Sequence, residues 1–153
     1  MVEFLKPTDR LINHVADDMR RSDVDEVWAS HRHSPRDALH SSVNASDFSA
    51  VVVAHGEPYA VLGLSMINLL LGHGAPWLLS TNQAVKSKRE FITLVPDVIG
   101  EMFTHCTVLR NYVHVKNVDS IRWLKRIGFT LEAPVKYGRG GEFFHEFYMT
   151  KVN

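Results

Sequence analysis

Residues 111–129 read NYVHVKNVDSIRWLKRIGF, and the run changes period partway along. Up to Val115 it alternates, so VLRNYVHV (108–115) predicts a strand with His114 on the face opposite Val113 and Val115. After Asn117, a strong N-cap type, a short basic amphipathic helix is expected. Asp119 sits in its first turn and Lys125 and Arg126 in its last, each sign matching the local end of the helix dipole. Gly128 then supplies a left-handed stop. One strand and one helix are thus fixed, in that order.

Working outward, FTLEAPVKY (129–137) and FFHEFYMTK (143–151), joined by GRGGE, predict a closing hairpin. Upstream, a helix beginning near Ser87 turns Phe91, Ile92 and Val95 inward, and Pro96 should kink or split it because proline lacks an N–H. SAVVVAH (49–55), YAVLGLSMI (59–67) and WLLST (77–81) predict three antiparallel strands, the first two joined through Gly56-Glu57-Pro58. In the first fifty residues VEFLK (2–6) is a strand. Leu11, Ile12, Val15 and Met19 mark a helix over 8–20, and Ser22 caps a second containing Val24, Val27 and Trp28. The polar stretch 30–47 offers one helical turn around Arg36–His40. The order is β, α, α, three antiparallel strands, α, β, α and a two-stranded finish. It predicts a single α/β (α+β) domain over 1–153, with a mixed, largely antiparallel sheet flanked by helices.

Composition narrows the function. A chain of 153 residues with 45% hydrophobic and 22% charged residues suits one globular core. No run approaches the roughly 18 apolar residues that span a bilayer, and the N-terminus lacks a signal-peptide pattern, so no membrane span is expected. Cys106 is the single cysteine, which excludes an internal disulfide and a thiolate cluster. Residues 1–57 carry six basic and ten acidic groups and 58–153 carry eleven and seven, leaving the second part net +4. That charge suits a phosphorylated cofactor and is far below what nucleic acid demands, so no nucleic-acid partner is expected. His31, His33 and His40 lack the carboxylate or cysteine frame of a metal site, and no metal is expected. Trp28, Trp77 and Trp123 read as core or interface anchors, Arg122 and Arg126 as a like-charged solvated pair.

The element order and the segment NVDSIRWLKRIGF resemble the GNAT N-acyltransferase superfamily, with Asn117, Ser120, Gly128 and Phe129 at its four motif positions. NYVHVKN, IRWLKRIG and KSKREF further resemble a family of small GNAT-like internal virion or head-assembly proteins of short-tailed phages, over residues 77–151. The first resemblance implies acetyl-CoA as cofactor. It would lie in a cleft between the strand ending at Thr81 and the strand 108–115. Backbone groups of Leu79 and Thr81 would hold the pantetheine arm, and Val85, Lys86, Ser87, Lys88 and Arg89 the pyrophosphate, with Asn117 and Ser120 beside it. Two departures stand out. Lysines 86 and 88 replace the expected loop glycines, and the position seven after Asn117, where many relatives have a general-acid tyrosine, is Leu124. His114 and Glu146 are the candidates for a base that would deprotonate an acceptor amine on a small molecule or protein. The resemblances therefore imply two functions. One is an acetyl-CoA-dependent N-acyltransferase. The other is a catalytically inactive assembly protein that contacts other phage virion proteins, in the host cytoplasm during infection or within the virion.

Overall fold

The structure, a computed structural model, describes residues 1–83 and 88–152, the side chain of Lys88 excepted. Its elements are β1 (Val2–Leu5), α1 (Asp9–Asp17), α2 (Arg21–His31), α3 (Pro35–Ala45), β2 (Phe48–Ala54), β3 (Glu57–Asn68), β4 (His73–Ser80), α4 (Lys88–Met102), β5 (Val108–His114), α5 (Val118–Ile127), β6 (Thr130–Leu131), β7 (Val135–Tyr137) and β8 (Glu142–Thr150). The strands form one sheet in the order β1-β2-β3-β4-β5-β8-β6, with β7 also on β8. Every pairing is antiparallel except β4 with β5.

The two-residue period of the strands sorts their side chains between two helical layers. Val51, Val53, Val61 and Leu79 face Ile12, Val15 and Ala16 of α1 and Ala38 and Leu39 of α3. The alternate residues Val52, Ala60 and Leu62 face Phe91 and Val95 of α4. Further along, Leu109, Val113 and Phe147 pack against Leu124 of α5. Each Val, Leu, Ile or Phe side chain so buried contributes about 1.5–3 kcal/mol, which is why periodicity decides the layers.

Several boundaries differ from expectation for local reasons. Helix α2 begins at Arg21, its N-cap Arg20 makes no side-chain cap bond, and Ser22 lies inside the first turn. Residues 35–45 form a full helix rather than one turn. Ser34 accepts the Asp37 N–H at 3.2 Å, and Pro35 occupies a first-turn position where no N–H is needed. Helix α4 runs unsplit through Pro96. Strand β4 starts four residues earlier than Trp77 and includes Pro76, whose missing N–H would point away from β3 into a gap.

The last turn of α2 is braced by the β7–β8 turn. Arg139 and Gly140 donate backbone N–H bonds to the carbonyls of Ser30 (2.9 Å) and Ala29 (3.2 Å), which the helix itself leaves unmet. Gly138, at φ 78, comes so close that an added Cβ would lie 2.6 Å from the Ser30 carbonyl oxygen. Gly138→Ala should therefore cost about 2 kcal/mol in urea denaturation. An unchanged midpoint would show that this brace carries no load.

Candidate functional site at the parting of two strands

Strands β4 and β5 pair only at His73–Val108 and Gly74–Leu109. Beyond those rungs they part, leaving a cleft of about 380 Å³ that passes between the helical layers. Asn111 Nδ2 donates to the Pro76 carbonyl at 2.9 Å across the near end of the gap. The walls are largely apolar, including Val27, Ala38, Leu62, Leu78, Val95 and Ile99.

Backbone alternation decides which groups of β4 face the cleft. The Thr81 N–H donates to the Tyr59 carbonyl at 2.8 Å, and Leu79 stands in the same phase, opposite Val61 of β3. The groups turned outward are those of Pro76, Leu78 and Ser80. The backbone that faces the cleft is thus one residue out of step with the Leu79 and Thr81 expected from the sequence.

At its far end that outward edge is taken by the chain itself. Met19 forms an antiparallel bridge with Thr81, Arg20 donates its N–H to the Ser80 carbonyl at 2.8 Å, and Asn82 donates to the Asp18 carbonyl at 3.3 Å. The Ser80 N–H donates to Asp23 Oδ2 at 3.0 Å. Leu78 alone keeps an N–H and a carbonyl turned to the cleft without a strand partner among the described residues.

Asp23 belongs to a buried polar network that joins α2 to the β5–α5 junction. Its carboxylate, 3% exposed, receives Arg20 Nη2 at 2.8 Å. The same Arg20 nitrogen reaches Ser120 Oγ at 3.0 Å and Asn117 Oδ1 at 3.3 Å. Asn117 Nδ2 donates to Glu26 Oε1 at 3.2 Å, and the His114 N–H donates to the same oxygen at 2.8 Å. Burial pushes the Glu26 carboxyl up to about 7. The neighbouring Asp23 charge adds to this, while the His114 and Asn117 bonds and Arg20 oppose it. The Asn117 side chain therefore does not cap α5, contrary to expectation, because its amide is turned into this network.

Of the two base candidates, His114 is buried at the network's edge, with Nε2 3.0 Å from Glu142 Oε1 and its ring edge-on to Phe144. Glu146 lies two residues past Phe144, His114's partner on β8, and is ion-paired with Arg110 at 3.2 Å. The structure does not join the two. Val85, Lys86, Ser87 and the Lys88 side chain lie outside the described residues, and Arg89 is exposed. Burial raises the Cys106 thiol, which leaves it unactivated. His31 is bonded to Ser30 Oγ and stacked on His33, and His40 meets Asn13. No metal-holding group of three ligands occurs among the described residues. Trp77 and Trp123 pack against the core, and Trp28 is 54% exposed beneath the Arg32 guanidinium.

Arg20, Asp23 and Glu26 are the residues that sequence reading missed. Their i, i+3, i+6 spacing places three charges on one helical face, a signal that was present in the chain.

A sheet of this order with parted β4 and β5 is the GNAT acetyltransferase fold, and similar solved structures agree. Ard1 from Thermoplasma volcanium superposes with TM-score 0.72 at 14% identity, covering 99% of each chain. Spermidine N-acetyltransferase from Vibrio cholerae, in complex with CoA and spermine, gives 0.69 at 18%, covering 98% of this chain and 94% of that one. The ribosomal-protein-S18-alanine N-acetyltransferase from Escherichia coli gives 0.68 at 11%, covering 98% and 94%. The chain itself belongs to the family described as Bacteriophage T7, probable scaffold protein Gp13, whose model matches residues 53–133. No curated protein matches it.

Proposed function

We propose that this protein is a single-domain phage assembly protein, which uses the acetyltransferase fold as a scaffold and does not transfer acyl groups. The observation that carries this reading is the occupied Ser80 end of the outward edge of β4. Both backbone groups of Ser80 are bonded within the chain, one to Arg20 and one to Asp23, where a cofactor arm would need them free. Asn117 and Ser120, the motif positions expected beside the cofactor, are held by Arg20. Leu124, where the acid would stand, is buried in the core. The described residues thus fit acetyl-CoA poorly. Contacts with other virion proteins would replace chemistry, in the host cytoplasm during infection or in the particle.

A second reading, N-acylation of a small-molecule or protein amine, draws on one observation. The cleft contains Glu26, whose carboxyl titrates near the pH that a general base requires.

Titration calorimetry with acetyl-CoA separates them. The assembly reading expects no saturable heat at millimolar cofactor and no thermal shift. A bound ligand at 100 times its dissociation constant would add about 2.7 kcal/mol of stability. Saturable micromolar binding would sink the proposal and favour the enzyme.

A further inference from the structure

The β3–β4 hairpin ends in a finger of bare leucines. Leu69, Leu70 and Leu71 are 80%, 98% and 62% exposed, and Ile67 beside them is 49% exposed. No residue from Ile67 to Gly72 is charged. The finger is also braced. Leu71 donates its N–H to Asn68 Oδ1 at 3.0 Å and Gly72 donates to the Leu69 carbonyl at 3.3 Å. The Gly72 carbonyl in turn receives the N–H groups of Thr107 at 2.8 Å and Val108 at 3.1 Å. The leucines are therefore presented on bonded backbone, which lowers the ordering entropy that a partner must overcome.

These four side chains offer on the order of 500 Å² of apolar surface, a size that marks contact sites on soluble proteins. It falls short of the roughly 800 Å² per partner of a stable interface, so two convex tips meeting would bury too little. A concave receptor is needed, and the chain has one. A dry apolar cavity of about 150 Å³ accepts a six-carbon ring, so at that ratio the twelve side-chain carbons of three leucines need about 300 Å³. The cleft between β4 and β5, largely apolar with Asp23 and Glu26 on its α2 wall, holds about 380 Å³. The finger precedes His73 at one end of β4, while the cleft's far end at Ser80 lies roughly 23 Å along the strand.

We propose that the leucine finger of one copy docks in the β4–β5 cleft of the next, a head-to-tail contact between copies of this chain. Donor and acceptor are different surfaces, and the contact proposed is the unreciprocated, heterologous one, which leaves a free finger at one end of the assembly and a free cleft at the other. Growth past the dimer follows. The inference rests on the assembly reading, in which the cleft is not a cofactor site.

Sedimentation velocity and light scattering of the full chain, from micromolar to near-millimolar, test it. Wild-type mass should rise beyond the dimer. Leu70→Asp, at a fully exposed position, should weaken association about a hundredfold without lowering the melting temperature. Ser42→Trp, which fills the α3 wall of the cleft, should do the same. A mixture of the two variants should form a one-to-one complex and nothing larger, because one retains the cleft and the other the finger. Three results would overturn the proposal. They are a monomeric wild type, a dimer lost with Leu70→Asp but kept with Ser42→Trp, and a monomer that floats with phospholipid vesicles through Leu70. None of these bears on acetyl-CoA binding, so loss of this inference and loss of the assembly reading remain distinguishable.

Discussion

Replacing Asp23 with alanine should lower the unfolding free energy by about 3–5 kcal/mol, the cost of stranding one partner of a buried ion pair. Asp23 meets the Arg20 guanidinium at 2.8 Å and also accepts the Ser80 N–H at 3.0 Å. Its removal leaves a largely buried cation with Asn117, Ser120 and only the exposed Asp119 carboxylate at 4.0 Å, and an N–H on β4 with no acceptor. In a domain of this size the melting temperature should fall by about 10 °C. Asp23→Asn keeps an oxygen for Ser80 but not the charge, so its loss should be smaller. The test is urea denaturation of both variants at pH 7. A loss below about 1 kcal/mol for the alanine variant would mean that Arg20 finds water when released, as exposed pairs do.

The second large effect is a pH dependence centred on Glu26. Its folded-state value, about 7, lies above the ordinary 4.5 because burial penalises the charged form. Between those values the folded protein holds a proton that the unfolded chain has released. Stability therefore falls as pH rises through this window, and the loss is complete above it. The shift corresponds to a loss on the order of 3 kcal/mol. Glu26→Gln keeps an oxygen at Oε1 for His114 and Asn117 and cannot ionise. It should stabilise the protein by that amount at pH 8 and hardly at all at pH 5. Equal effects at the two pH values would show that Glu26 is ionised in the fold throughout.

Sequence reading succeeded where the determinants are local. Helix α5 runs from Val118 to Ile127 and stops at Gly128, whose φ of 109 suits the left-handed conformation that glycine permits. Its capping charges and stop lie within the segment they control. Sequence reading was weaker at α3, where eleven residues, six of them polar, form a helix that buries only Ala38 and Leu39. So narrow an apolar stripe gives little period to detect, although Ser34 and Pro35 were valid start signals. The early start of β4 was hidden by Pro76, which reads as a break unless the gap beside it is known.

The candidate site was legible only in part. Asn117 and Ser120 meet at the Arg20 guanidinium, and the His114 backbone N–H shares Glu26 Oε1 with the Asn117 amide. Their partners Arg20, Asp23 and Glu26 lie 88 to 100 residues away in sequence, beyond the reach of any local pattern.

By itself, then, the sequence determined the layering of this protein, because alternating and 3.6-residue periods record which side of each element meets the core. Tertiary structure decided what the shared fold is left able to do. Whether β4 offers its backbone to a ligand depends on the phase of its pairing with β3. It depends equally on a distant segment, Asp18 to Asp23, closing over the same edge. Both are long-range hydrogen-bonding choices, and backbone groups are identical in every residue, so no side-chain pattern along the chain announces them.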